Sequence, residues 1–388
     1  MAAPLKVVLV FGTRPEAIKM APVQRVLAGR PDLFDCRVCV TAQHRQMLDQ
    51  VLAFFDLPVH HDLDIMTPGQ GLHEITERVL GGLSDYLARE RPDWIFVHGD
   101  TTTTFAAALA AFYAQVAVGH VEAGLRTGLR YSPFPEEMNR RLTGALTTLH
   151  FAPTAVSRAN LLREGVAPED IVVTGNTAID ALRLAMNSPQ LANLPSPFRA
   201  GSRGILVTAH RRENFGPGIR SICRALRRLA AARDDLHIIY LVHPNPNIRV
   251  PVGELLGGLP NVELIEPVGY VEFVRMMADC HLILTDSGGV QEEAPSLGKP
   301  VLVLRAETER PEAVAAGTVR LVGTDEQTIV AEALRLMDDP AAYDCMARAV
   351  NPYGDGLAAL RIAAFLRHRC GEAPWPVAGL GEFAPAVE

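Results

Sequence analysis

Aromatic residues are sparse in this chain: Phe, Tyr and Trp make up 6% of 388 residues, with only two Trp. Cysteine is scarcer still, six in all. Cys36 and Cys39 form one C-x-x-C, but no second pair follows, which argues against a zinc ribbon and a disulfide-stapled scaffold. The pair lies along a strand-like stretch, so structural thiols in a reducing, cytoplasmic setting are expected. No apolar run reaches membrane-spanning length. Met1-Ala2-Ala3-Pro4-Leu5-Lys6 runs straight into a strand-like segment, a start that predicts no secretory leader. Lys and Arg are scattered and net charge is −7, so no nucleic-acid footprint is present. Several motifs of known mechanics are missing as well. No G-x-G-x-x-G follows the first strand, so a dinucleotide site is not expected, and there is no Walker loop, H-E-x-x-H or G-x-S-x-G. No Asp/His cluster has metal spacing; His60-His61-Asp62 reads as an exposed loop.

What the chain does have is apolar content, 48%, ample for a core. Short β-type runs alternate with helix-length segments rich in Ala and Arg. Strands are expected over 6–11, 36–41, 94–98, 116–122 and 171–174. A second set is expected over 204–208, 237–242, 262–265, 282–284 and 300–304. This alternation predicts α/β architecture with doubly wound parallel sheets. Residues 187–202, rich in Pro, Asn and Ser, read as the linker between halves. Both halves open alike, with a strand that ends in a polar loop. The natural reading is two Rossmann-like domains facing each other across a cleft, with ligands at the carboxyl ends of strands.

Residues 282–294 carry the strongest signal. An apolar run stops at Thr285-Asp286, Ser287-Gly288-Gly289 turns, and Val290 onward looks helical. A strand feeding a Gly turn at a helix start points bare N–H groups at one spot, which suits a phosphate. Glu292 and Glu293 follow, and a carboxylate there can take ribose hydroxyls. In Gly12-Thr13-Arg14-Pro15-Glu16-Ala17-Ile18-Lys19, Arg14 can fork onto phosphate oxygens and Lys19 adds a point charge. His98-Gly99-Asp100-Thr101, His120-Val121-Glu122-Ala123-Gly124 and Pro135-Glu136-Glu137-Met138-Asn139-Arg140 place Asp100, Glu122 and Glu136 at strand or helix ends. Three carboxylates converging in one cleft repel, so some would hold protons near neutral pH and serve as acids and bases. Capping accounts for Glu137 more readily than for Glu136. His210, beside Arg211 and Arg212, adds a further acid–base candidate. His243 also ends a strand, and Arg310 is another diphosphate candidate.

These motifs, in this order from about Lys6 to Leu366, resemble the non-hydrolysing UDP-N-acetylglucosamine 2-epimerases. The resemblance rests on Phe11-Gly12-Thr13-Arg14-Pro15-Glu16-Ala17-Ile18-Lys19, His98-Gly99-Asp100-Thr101, Val121-Glu122-Ala123-Gly124-Leu125-Arg126 and Pro135-Glu136-Glu137-Met138-Asn139-Arg140. It rests equally on Thr208-Ala209-His210-Arg211-Arg212-Glu213-Asn214, on the 286–293 motif and on Glu309-Arg310-Pro311-Glu312. It implies a GT-B fold, a homodimer, and no metal or nicotinamide cofactor. Asn351-Pro352-Tyr353-Gly354-Asp355-Gly356 matches the turn that returns the last helix to the first domain. The expected domains are therefore 1–180, with a helix over 358–380 packing back on it, and 181–357.

The implied reaction interconverts UDP-GlcNAc and UDP-ManNAc by eliminating UDP to give 2-acetamidoglucal and re-adding it. By resemblance, Asp100, Glu122, Glu136 and His210 surround the reacting sugar and diphosphate. Arg14, Lys19, Ser287, Gly288, Gly289 and Arg310 would hold the diphosphate. Glu293 would take the ribose and Phe273 would pack near uracil. A uracil contact of some members falls on Val268, where only backbone can make it. Gln43, Gln46, Arg211 and His243 match a pattern that binds a second UDP-GlcNAc as activator. One Arg of that pattern, just before a Gln, is Gly69 here. Three other readings compete: a hydrolysing epimerase or one acting on a diacetamido-uronate sugar, a GT-B glycosyltransferase, and a non-catalytic nucleotide-sugar regulator.

Overall fold

A computed structural model of the chain describes residues 3–42, 45–67, 69–377 and 379–385. The chain forms two compact units. The first is built on Met1–Leu184 and Tyr353–Ala384, the second on Ala185–Pro352. Among the described residues no helix is long and apolar enough to cross a membrane.

In the first unit seven parallel strands form one sheet. They are β1 (Leu5–Phe11), β2 (Phe34–Val40), β3 (His61–Asp62), β4 (Trp94–His98), β5 (Ala117–Val121), β6 (Leu149–Ala152) and β7 (Ile171–Val173), in the order β3-β2-β1-β4-β5-β6-β7. Val7 through Phe11 have no exposed surface. Such a near-continuous apolar run is what a parallel strand covered on both faces requires. The Ala-rich helix Thr102–Tyr113 packs against the helix Leu72–Glu90, and its small side chains permit the close approach. Helix Ala358–Arg369 lies against helix Arg14–Ala28. The helix expected over 358–380 stops at Arg369; Gly371 turns the chain at φ +75°, and Pro374 and Pro376 follow.

β7 is an edge strand, and the chain's final stretch covers it. Phe383 N–H donates to Val173 C=O at 2.8 Å, and Val173 N–H donates to Glu382 Oε1 at 3.3 Å. Phe383 is buried, with the Arg361 guanidinium 5.7 Å from its ring centroid.

The second unit repeats the plan with six parallel strands. They are β8 (Arg203–Thr208), β9 (Leu236–Leu241), β10 (Val262–Ile265), β11 (Leu282–Thr285), β12 (Val301–Val303) and β13 (Val319–Leu321), ordered β10-β9-β8-β11-β12-β13. Its core gathers Ile205, Val207, Leu226, Ile238, Tyr240 and Leu284. Both sheets thus contain the 3-2-1-4-5-6 order of doubly wound folds, with a seventh strand added in the first. In each the winding reverses between the first and fourth strands, where loops diverge and ligands bind. In the first unit that point lies between β1 and β4, in the second between β8 and β11.

Three details depart from expectation. His61–Asp62, read as a loop, is a two-residue edge strand, and His61 stacks on Tyr86 at 4.6 Å. The expected linker, 187–202, belongs to the second unit. Its helix Pro189–Ala192 buries Leu191, and Phe198 packs so tightly over Gly204 that a Cβ there would sit 2.4 Å from the ring. Cys36 and Cys39 both lie on β2, three residues apart and so on opposite faces. Burial pushes both thiols up to about 12.

Candidate active site

The loops after β1 and β4 are neighbours because those strands are, and a buried carboxylate joins them. Glu16 Oε2 accepts from Gly12 N–H at 3.0 Å and from Thr13 N–H and Oγ1 at 2.8 Å. Its Oε1 accepts from Thr101 Oγ1 at 2.6 Å and Thr104 Oγ1 at 3.1 Å. Burial raises the Glu16 pKa against those hydrogen bonds. Thr101 caps helix Thr102–Tyr113 through Thr104 N–H, and the same hydroxyl braces Glu16.

Beside this clamp lies a charged cluster. Glu122 follows β5 with φ +63°, a left-handed backbone unusual for a residue with a side chain. Its carboxylate, 6% exposed, pairs with Lys19 Nζ and lies 3.3 Å from Arg140 Nη2. Asn176 Nδ2 donates to Glu122 Oε2 at 3.0 Å. Arg140 Nη2 also reaches Asp100 Oδ2 at 2.6 Å, and Arg140 Nη1 donates to the Glu122 carbonyl. Arg140 and Glu136 are four residues apart on helix Glu136–Leu146, hence on one face. The structure therefore joins Asp100 and Glu122 through a guanidinium. Mutual repulsion of bare carboxylates, the sequence-based expectation, is replaced by cation pairing, because Arg140 and Lys19 supply the opposing charge. Glu137, adjacent to Glu136, is structural. It accepts from Thr127 N–H at 2.9 Å and Gly128 N–H at 3.2 Å and pins that loop. His98, at the end of β4, sits 3.7 Å from Glu122 Oε2. Burial holds its pKa down to about 4 although Glu122 pulls the other way, so the ring is neutral at ordinary pH.

In the second unit the β8 and β11 loops meet through Asp286, which has no exposed surface. Asp286 Oδ2 accepts from the backbone N–H groups of His210 and Arg211, both at 2.8 Å, and from Asn214 Nδ2 at 3.0 Å. Its Oδ1 lies 3.2 Å from His210 Nδ1. Asp286 Oδ2 thus sets the loop, while its other oxygen faces the His210 ring. Burial lowers the His210 pKa, and Asp286 opposes that shift. His243 stacks on His210 with centroids 6.0 Å apart. Arg211 reaches Glu309 at 3.5 Å. Of the remaining activator candidates, Gln43 lies outside the described residues. Gln46 is on helix Arg45–Phe54, its side chain likewise outside what the structure describes.

Ser287 opens the short helix Gly288–Glu293. Arg310 Nε donates to the fully buried Glu292 at 2.6 Å, and its guanidinium lies against Gly288, where a Cβ would come within 3.3 Å. Gly288 is needed for that approach; Gly289 has open space. Glu293 is buried beside Tyr270 Oη, 3.4 Å from its Oε1. Val268 and Phe273, just before and on helix Tyr270–Asp279, are half-buried. Arg14 is half-buried at the first position of helix Arg14–Ala28. Sequence reading assigned no role to Glu16, Asn176 or Asp286. Glu16 and Asp286 stood inside quoted motifs, and Asn176 follows Gly175 in the Gly175-Asn176-Thr177 turn after β7.

Two Rossmann-like units, each with charged loops at its sheet's winding reversal, place the chain in the GT-B class of folds. A family model described as UDP-N-acetylglucosamine 2-epimerase matches residues 27–367. The UDP-N-acetylglucosamine 2-epimerase of Escherichia coli (strain K12) is 58% identical over 373 residues, 94% of this chain and 99% of that one. The crystal structure of UDP-GlcNAc 2-epimerase from Neisseria meningitidis bound to UDP-GlcNAc superposes with a TM-score of 0.88 at 51% identity, covering 94% of this chain and 100% of that one. That of Methanocaldococcus jannaschii UDP-GlcNAc 2-epimerase, in complex with UDP-GlcNAc and UDP, gives 0.79 at 34%, with the same coverage. The chain belongs to the UDP-N-acetylglucosamine 2-epimerase family.

Proposed function

We propose that this protein reversibly inverts C2 of UDP-N-acetylglucosamine to give UDP-N-acetylmannosamine, without hydrolysis. The C2 proton has no adjacent carbonyl to acidify it, so direct deprotonation is closed. Elimination is open. A carboxylate takes the C2 proton, the C–H electrons form the C1=C2 bond, and the C1–O bond breaks to release UDP. 2-Acetamidoglucal remains. UDP then adds back to C1 while a proton reaches C2 from the opposite face. Asp100, Glu122 and Glu136 of the first unit, with His210 of the second, are the acid–base groups. Arg14, Lys19, Ser287, Gly288, Gly289 and Arg310 stabilise the departing diphosphate, whose growing charge is the main demand of the transition state. Glu293 holds the ribose, and Phe273 and the Val268 backbone hold uracil.

The observation that carries this reading is the Asp100–Arg140–Glu122–Lys19 cluster. It holds two carboxylates against cations and orients them in a family whose relatives bind UDP-GlcNAc. Lys19 belongs to both halves of the chemistry, since it pairs with Glu122 and is also a diphosphate ligand in this reading. The protein acts as a cytoplasmic homodimer, supplies ManNAc-type sugar for cell-surface polysaccharide, and takes a second UDP-GlcNAc as activator near Arg211 and His243. The test is UDP-GlcNAc in D2O followed by NMR. UDP-ManNAc carrying deuterium at C2 is expected. Accumulating free ManNAc and UDP would make the enzyme a hydrolase instead.

A further inference from the structure

Besides His98 at 3.7 Å, Glu122 is held by two kinds of donor. Lys19 and Arg140 are long, charged side chains, and each has a second role, Lys19 toward the diphosphate in the reading above and Arg140 toward Asp100. Asn176 is short, neutral and 2% exposed. Its side chain is locked at both ends. Oδ1 accepts from Ala178 N–H at 3.0 Å, which turns the amide NH2 toward Glu122 Oε2. Its backbone is locked too: N–H donates to Tyr353 C=O at 2.6 Å, and its C=O accepts from Ile179 N–H at 3.1 Å. Around it the backbone is pressed tight. A Cβ on Gly175, at φ +84°, would meet Gly354 Cα at 3.3 Å, and one on Gly354 would meet Asn176 N and O at 3.4 Å. Tyr353, fully buried, is where the chain re-enters the first unit.

We propose that Asn176 is the positioning residue of the acid–base carboxylate Glu122, an uncharged donor anchored on the returning strap at Tyr353 that holds Oε2 while Lys19 serves the diphosphate. This rests on the assignment of Glu122 to acid–base work. A charged anchor would follow the substrate's phosphates. A neutral amide has no such pull and keeps the carboxylate aimed through both elimination and re-addition. Glu122 also sits on left-handed backbone, so its aim depends on outside bonds more than that of a residue in a regular strand.

The test uses Asn176→Ala, Asn176→Asp and Glu122→Gln, alone and combined, with epimerisation read across pH. Asn176→Ala should lower kcat on the order of tenfold or more, below the 10²–10⁴ of the acid–base group itself, with KM nearly unchanged. Asn176→Asp keeps the Ala178 and Tyr353 bonds but sets a second carboxylate against Oε2. It should fold normally and move the acidic limb of the kcat profile to higher pH, as paired carboxylates do. In the Glu122→Gln background, Asn176→Ala should cost little more. Parental kcat in Asn176→Ala and an unmoved limb in Asn176→Asp, with Glu122→Gln stalled, would overturn the proposal and leave the acid–base reading intact. Near-parental turnover by Glu122→Gln would overturn that reading, and the proposal with it. If Asn176→Ala does not fold, the pH limb of Asn176→Asp decides.

Discussion

Arg310→Ala should separate two functions of one side chain. Arg310 is 13% exposed and donates at 2.6 Å to Glu292, whose side chain is fully buried. Deleting the guanidinium leaves a buried carboxylate without its ion-pair partner, a loss of about 3–5 kcal/mol. For a unit of this size that is a fall of roughly 6–20 °C in melting temperature. The same deletion should weaken UDP binding by about 2–5 kcal/mol, roughly 30- to 4,000-fold, because the proposed diphosphate partner is gone. The double variant Arg310→Ala/Glu292→Gln removes the stranded charge. It should regain most of the stability and none of the affinity. Thermal melts and titration calorimetry with UDP read the two effects apart, and Asp100→Ala serves as a control with intact UDP affinity. Parental UDP affinity in Arg310→Ala would refute the assignment. A double variant as unstable as the single one would refute the argument from buried charge.

Glu122→Gln or Glu136→Gln should stall epimerisation by about 10²–10⁴ while UDP-GlcNAc still binds. Free UDP and 2-acetamidoglucal in the slow variants would mark the leaking intermediate, whereas near-parental turnover by both with normal C2 exchange would shift the chemistry to Asp100 and His210. Burial holds His98 and His150 down to about 4, so the unfolded chain takes up protons first, near its ordinary 6.5. Stability present above pH 6.5 should therefore fall as pH drops toward 4, by on the order of 3 kcal/mol per histidine; denaturant midpoints flat between pH 7 and 4.5 would contradict this. Asp180 has the opposite sign. Burial raises its carboxyl to about 6 against the Ala358 and Ala359 N–H bonds, so the fold favours the protonated form, and that stabilisation is lost as pH rises through 6. Asp180→Asn turns an amide N–H against one of those two donors, so it should cost melting temperature, but less at pH 7 than at pH 4; a cost equal at both would show that the charge is not felt.

The parallel-sheet architecture was legible because buried strands such as β1 and β4 read as apolar runs, and each ended in a polar loop. β6 and β13 escaped notice because four and three residues, one of them His150 and another Arg320, make no periodic signal. The candidate loops were legible for the same reason the strands were. Their partners were not. That Asp286 would hold His210 follows only from the register of β11 beside β8, where Thr285 pairs with Thr208. Asn176 reaches Glu122 across 54 positions, and no local pattern encodes such a distance. Arg140 stood in a quoted motif, yet its place between two carboxylates required the helix Glu136–Leu146 to be set against the ends of β4 and β5.

The covering of β7 bears on how the protein must be handled. An open parallel edge is a template for a foreign strand, and proteins blunt such edges to stay in solution. Here the blunting is done by Glu382 and Phe383, near the end of the chain. A version cut after Leu380 would keep every candidate catalytic side chain. It would also bare the Val173 amide and carbonyl at the β7 edge, with the hollow left by Phe383 beside them. Its failure would be one of self-association during expression and storage rather than of chemistry. A tag or fusion partner is therefore better attached at the amino terminus than spliced in upstream of Glu382.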